Sequence, residues 1–233
     1  MRQLNRLWAS VITAGIFTLA VAFFAETAQA DPAAGKALFD ANGCNACHIV
    51  SGPVEAVPIA ERSAIKGPPL WFAGSKFKDG WIAGWLAEPT PIRRVKYNTL
   101  EIGSNDHVAL SAEDAGNVAE YLMTLKDDEM ATGVVAEGKL NRRKKFSAEK
   151  LFTKKQVCFG CHQYSSKRGD IGGFAGPSMV GAGSRLNPDW VFALIQNRER
   201  YFPNGRMPVY GDEAFNKFSE DEFKLLAQFI GGM

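Results

Sequence analysis

Apolar positions along this chain fall into two sets of short stripes, separated by a polar stretch and preceded by one long apolar run. After Asp31-Pro32, an N-cap with proline in the first turn, the segment Ala33 to Ala41 carries Leu38 and Phe39 and stops at Asn42-Gly43. Trp81 to Leu86 reads as a second short helix. Ser111 caps a third, in which Val118, Tyr121, Leu122 and Leu125 keep helical spacing. The same order then returns: Ser147 caps a helix with Leu151 and Phe152, Asn187-Pro188-Asp189 opens one over Trp190 to Ile195, and Ser219 with Glu222 forms a capping box before Phe223, Leu226, Phe229 and Ile230. Each helix must bury one face, and nothing reads as a sheet-forming domain. The expected class is all-α.

The recurrence extends to the residues themselves. Gly67-Pro68-Pro69-Leu70-Trp71-Phe72-Ala73-Gly74-Ser75-Lys76-Phe77 aligns without a gap on Gly176-Pro177-Ser178-Met179-Val180-Gly181-Ala182-Gly183-Ser184-Arg185-Leu186, and four positions later Trp81 matches Trp190. Self-similarity at one long period marks duplicated domains. The first copy carries a longer loop, Ser51 to Lys66. Between the copies, Lys126 to Lys145 is polar, with glycines and little periodicity, and reads as a linker. The expected organisation is therefore residues 31–127 as one domain, 128–146 as linker and 147–233 as a second domain.

The opening run changes the cellular address. Arg2 and Arg6 precede an apolar stretch from Leu7 to Phe24, and Ala28-Gln29-Ala30 supplies small residues for cleavage, so residues 1–30 read as a secretory signal peptide cut after Ala30. If it were retained, the same stretch would approach the length of a membrane anchor. The chain has 233 residues and a formal net charge of +2. Without Arg2, Arg6 and Glu26 the charge is about +1, so no global basic field recommends nucleic acid as a partner. Arg142-Arg143-Lys144-Lys145 reads as a solvated part of the linker.

The chemistry is concentrated in one string that occurs twice: Cys44-Asn45-Ala46-Cys47-His48 and Cys158-Phe159-Gly160-Cys161-His162. A redox dithiol needs no histidine, and a zinc site brings its cysteine pairs closer together in the chain than these two. A disulfide across a two-residue gap is strained and leaves the histidine unexplained. Cys-x-x-Cys-His is the attachment signature of a c-type heme: the thiols add across two vinyl groups, and the imidazole becomes an axial ligand of the iron. Two covalently bound hemes c are expected, on Cys44 and Cys47 with His48, and on Cys158 and Cys161 with His162. Their propionates would bring the mature charge to about −3.

With these motifs in the order helix, Cys-x-x-Cys-His, Gly-Pro, helix entered near Trp, loop and closing helix, twice over, the chain resembles the class I cytochromes c, in particular diheme proteins built from two such domains. That likeness implies that the carbonyls of Pro68 and Pro177 accept hydrogen bonds from His48 and His162. It also implies a methionine ligand before the last helix, and Asn204-Gly205-Arg206-Met207-Pro208 supplies Met207 for the second heme. Met179 aligns with Leu70 and reads as packing.

The first half departs from this pattern. The position equivalent to Met207 is Asn98, flanked by Tyr97 and Thr99. His107 is the remaining histidine, and neutral imidazole is a competent iron ligand. An open or water-bound position, Tyr97, Lys96 and Met130 stand beside it as alternatives. The sequence shows no evident nucleophile or acid/base pair, so an electron carrier rather than a catalyst is expected, passing electrons between a redox protein donor and acceptor in the periplasm. The alternative is the electron-transfer subunit of a periplasmic oxidoreductase, or a protein whose first heme keeps an open position.

Overall fold

The computed structural model describes residues 30–103, 107–136, 138–210 and 218–233. The expected signal peptide lies outside them apart from Ala30. The first domain contains α1 (Pro32–Ala41), α2 (Ala73–Lys76), α3 (Trp81–Ala87) and α4 (Ala112–Thr124). The second contains α5 (Arg142–Lys150), α6 (Ala182–Arg185), α7 (Pro188–Gln196), α8 (Arg198–Tyr201) and α9 (Glu220–Ile230). In each half the first helix packs on the last, α1 on α4 and α5 on α9, and the Trp-entered helix covers the closing one, α3 on α4 and α7 on α9. The all-α expectation holds, with one small addition. An antiparallel hairpin, β1 (Tyr164–Ser166) with β2 (Gly169–Ile171), follows the second Cys-x-x-Cys-His string.

The caps explain most helix starts. Asp31 accepts from the backbone N–H groups of Ala33 at 2.9 Å and Ala34 at 3.3 Å, and its own nitrogen donates to Asn117 Oδ1 on α4 at 2.8 Å. Ser111 accepts from Asp114 N at 3.1 Å, and Ser219 and Glu222 exchange both bonds of the capping box. Ser147 does not cap its helix. α5 starts six residues earlier than that reading, under Asn141, whose Oδ1 accepts from Lys144 N at 2.9 Å.

The basic run Arg142 to Lys145 is therefore helical rather than linker. Four cations at a helix start oppose the helix dipole, which is why the local pattern points away from a helix there. Tertiary packing overrides it through Ala148 and Leu151, both buried, with α5 lying on α9. A π-helical turn over Leu151–Lys155 then absorbs one more residue between Phe152 and Cys158 than stands between Phe39 and Cys44.

The linker is not loose either. The Asp189 carboxylate, at the start of α7, accepts from the backbone nitrogens of Gly133, Val134 and Val135 at 2.6, 3.1 and 2.8 Å. Val135 is buried with the second domain's core.

The two domains meet about an approximate two-fold axis that the repeat makes visible. Phe77 and its repeat equivalent Leu186 form an antiparallel bridge, with Lys78 N donating to Arg185 O at 3.0 Å and Asn187 N donating to Lys76 O at 2.8 Å. The cation–ring contacts are also reciprocal: Lys76 Nζ lies 5.1 Å from the Trp190 ring centroid, and the Arg185 guanidinium 5.9 Å from that of Trp81. This is the contact pattern of an isologous dimer, written within one chain.

The symmetry is broken by Trp71 and Phe72. They belong to the first domain but are buried in the second domain's core, with Trp71 stacked on Tyr201 and Phe72 enclosed by Trp190, Tyr201 and Phe202. Beside them the buried Asp127 carboxylate takes two bonds from Arg200, at 2.6 and 2.9 Å, and one from Tyr201 Oη at 2.9 Å. Among the described residues, no helix is long and apolar enough to cross a membrane.

Candidate heme-binding sites

Each Cys-x-x-Cys-His string folds as a single tight turn, and the two turns are copies of one another. Cys44–Ala46 and Cys158–Gly160 are 3₁₀ turns. In the first, Cys47 N and His48 N both donate to Cys44 O, at 3.2 and 3.0 Å; in the second, Cys161 N and His162 N donate to Cys158 O, at 3.1 and 3.0 Å. Residues i, i+3 and i+4 share one face of a helical turn, so both thiols and the imidazole are presented together. No disulfide joins any of the four cysteines. The residue before each turn is left-handed: Gly43 with φ 67° and Val157 with φ 52°. Burial raises the Cys44 thiol above its ordinary range and pushes Cys158 up to about 11.

The Gly-Pro segments lie directly against the two imidazoles. His48 Nδ1 is 2.8 Å from Pro68 O and His162 Nδ1 is 2.7 Å from Pro177 O. A carbonyl oxygen only accepts, so Nδ1 carries the hydrogen in both rings, and the Nε2 lone pair is free for a metal. Burial pulls both imidazoles below the usual histidine range, which favours this neutral form.

The glycines are a steric requirement of the same contact. A Cβ on Gly67 would stand 2.8 Å from His48 Cε1, and one on Gly176 would stand 2.5 Å from His162 Cε1. Replacing Gly176 by alanine is therefore expected to push His162 off its bond to Pro177. The overpacking costs about 1–3 kcal/mol. Denaturant unfolding, together with a changed low-spin spectrum confined to the second heme, checks this.

The expected sixth ligands fall in different surroundings. Met207 is half-buried against the second domain's core, in a stretch without helix or strand among the described residues. In the first domain His107 faces His48, with ring centroids 6.2 Å apart and planes inclined by 47°. That is close to the separation of two imidazoles sharing one metal ion at ordinary metal–nitrogen lengths of about 2 Å.

His107 Nδ1 lies 2.9 Å from the carbonyl of Val108, which leaves its Nε2 lone pair free in turn. Its ring packs edge-to-face with Trp85, the ring centroids 4.6 Å apart. The other residues considered for this position are engaged elsewhere: Lys96 is paired with Glu101 at 3.1 Å, Tyr97 lies under Arg93, and Met130 packs on the second domain's core. Met179 also packs on that core. Sequence reasoning missed Trp85, Gly67 and Gly176 as contacts of the histidines. The repeated Gly before Pro was the available signal for the last two.

The charges between the domains fit a group that brings carboxylates. Lys76, Arg93 and Arg185 gather there, and Arg206 lies within electrostatic range of Arg93. No carboxylate among the described residues pairs with any of the four. Burial, reinforced by Arg185 and Arg93, pushes Lys76 down to about 7. Arg93, a first-domain residue, lies near enough to His162 to disfavour its protonation. Among the described residues, the buried nitrogens without a partner, Trp71 Nε1, Arg93 Nε, Trp190 Nε1 and Arg198 Nε, are all donors. A buried donor needs an acceptor, and heme propionates are acceptors with the required negative charge.

Comparison with known proteins agrees with this arrangement. The family model for cytochrome c matches residues 32–126, and the model for cytochrome c oxidase, cbb3-type, subunit III matches residues 147–230. Searches of the curated proteins and of the solved structures find no match. With the duplicated turn, the Gly-Pro contact and both halves matched, the chain belongs to the cytochrome c proteins as two cytochrome c-type domains in tandem.

Proposed function

We propose that this protein is a periplasmic diheme c-type cytochrome that carries electrons between a redox protein donor and acceptor, the first heme ligated by His48 and His107 and the second by His162 and Met207. The observation that carries the reading is the set of three histidines, each with Nδ1 at hydrogen-bond distance from a backbone carbonyl, with His107 facing His48 at 6.2 Å. A bound heme supplies an iron that changes by one electron between its ferric and ferrous states. The chain's part is to tether, orient and exclude water.

Cys44, Cys47, Cys158 and Cys161 hold the two groups, Pro68 and Pro177 fix the proximal rings, and Val108 with Trp85 fixes the distal one. Unlike distal ligands give unlike potentials. A thioether favours ferrous iron, while a second imidazole favours ferric iron relative to it, so the second heme has the higher potential and electrons pass toward it. Export is supported by the start of α1. Asp31 caps the helix and is tied to Asn117, and it is the residue with which cleavage after Ala30 would begin the mature chain.

Optical and electron-spin spectra of the purified protein test this reading. Two low-spin hemes and no carbon monoxide binding are expected. Carbon monoxide binding by the reduced native protein would favour an open first heme instead. In His107→Ala the first iron loses its distal imidazole, so a high-spin component and carbon monoxide binding by one heme are expected. An unchanged low-spin first heme would remove His107 from the ligand set.

A further inference from the structure

The loop that carries Met207 is held by the other domain. Asn204, buried at 7% exposure, uses both ends of its amide on the long first-domain loop: Oδ1 accepts from Val57 N at 2.8 Å and Nδ2 donates to Glu55 O at 3.1 Å. Arg206, next to Met207, donates to Asn98 O at 2.9 Å and Thr99 O at 3.3 Å. The first-domain side is itself closed, because Asn98 Nδ2 donates to Arg62 O at 3.2 Å and Arg62 Nε donates to Val57 O at 3.2 Å. These bonds form a ring from Asn204 through Val57, Arg62 and Asn98 to Arg206. Within its own domain, the described bonds to the loop are the turn from Gly205 N to Phe202 O at 2.9 Å and two from Arg198, to Phe202 O at 2.7 Å and Pro203 O at 3.2 Å.

Asn98 is the repeat equivalent of Met207. It is buried at 7% exposure and left-handed, with φ 54°, a conformation that asparagine tolerates better than most residues. The duplicated loop has thus kept its place in the fold while its central residue has changed task.

We infer that the first domain's Asn98 turn and its Ser51 to Lys66 loop position Met207 for the second heme, so that first-domain residues set how firmly the second iron keeps its thioether ligand. The inference rests on the proposed ligation by Met207. A methionine side chain has three rotatable bonds, so its occupancy at a metal depends on how well its backbone is held. Asn204 and Arg206 supply that hold from the three residues preceding it. The long loop of the first copy then acts as a strap across the domain boundary.

Imidazole titration of the ferric protein, followed by the sulfur-to-iron charge-transfer absorption, tests the inference. Added imidazole reaches the second iron only when the thioether has left, so its apparent affinity scales with the open fraction. Arg206→Gln loses both charge-assisted bonds and is expected to raise that affinity about tenfold, with Arg206→Lys restoring part of the difference. Asn98→Gly accepts the left-handed backbone, leaves the second domain untouched, and is expected to raise it a few-fold. Arg206 is exposed, so its variants keep the fold. Unchanged imidazole affinity in both Arg206→Gln and Asn98→Gly would overturn the positioning role. Met207→Ala separates the two ideas: persistence of the charge-transfer absorption would overturn the ligation reading itself, while its loss alongside unaffected Arg206 and Asn98 variants would overturn the strap alone.

Discussion

Replacing Met207 by alanine lowers the reduction potential of the second heme by on the order of 100 mV, a modest part of the range of about 0.8 V that axial ligands span. A thioether is a soft donor that stabilises ferrous over ferric iron. Water or a nitrogen donor in its place reverses that preference, and the potential falls. The Pro177 carbonyl acts through His162, and Arg93 acts through space from the other domain. The measurement is a potentiometric titration resolved into two waves, in which the higher wave shifts down and the lower one stays in place. Two unmoved waves would show that Met207 does not bind the iron.

Asp127→Ala destabilises the protein by about 3 kcal/mol, the low end for breaking a buried pair by removing one partner. The carboxylate is 1% exposed and holds both Arg200 and Tyr201, so its loss leaves a buried phenol without its acceptor. The cost stays at the low end because Arg200 reaches solvent and keeps Glu129 at 3.0 Å. Arg200 also lies over the Trp71 ring at 5.6 Å, so the pair and the stacked aromatics fasten the two domains as one unit.

Acid should erase the difference between the two proteins. The hydrogen bonds from Arg200, outweighing desolvation, hold the Asp127 pKa below the usual carboxylate range. The contribution is therefore fully present above the unfolded value of about 3.9 and is lost as pH falls through the lower folded value. Denaturant midpoints at neutral pH and in acid check both the size and the sign. A change below about 1 kcal/mol at neutral pH would mean that the cluster adds little beyond the apolar contacts.

Local chemistry explains what could be read directly from the chain. Asp31, Ser111 and Ser219 announce helix starts because a cap acts on backbone groups two or three residues away. The repeated Gly-Pro marks the segments that lie on the histidines, because only glycine lets backbone approach an imidazole that closely. Reading by local rules failed where distant packing outweighs them. Ser147 looks like a cap but lies inside α5, whose first turn of cations is tolerated because Ala148 and Leu151 bury against α9. Gly133 to Val135 read as linker but donate three backbone hydrogen bonds to Asp189. Trp71 and Phe72 sit in one domain's sequence and the other's core.

The sequence by itself determined the attachment chemistry and the duplicated helical plan, since two thiols and an imidazole at positions i, i+3 and i+4 share a face wherever the chain forms a turn. Only the tertiary structure decided what surrounds those turns. It brought His107 opposite His48, turned Asn98 from the place of a ligand into a clamp on Arg206, and set uncompensated cations between the domains. Each of these depends on residues far apart in the chain being carried to one place by the packing of helices, which no local pattern records.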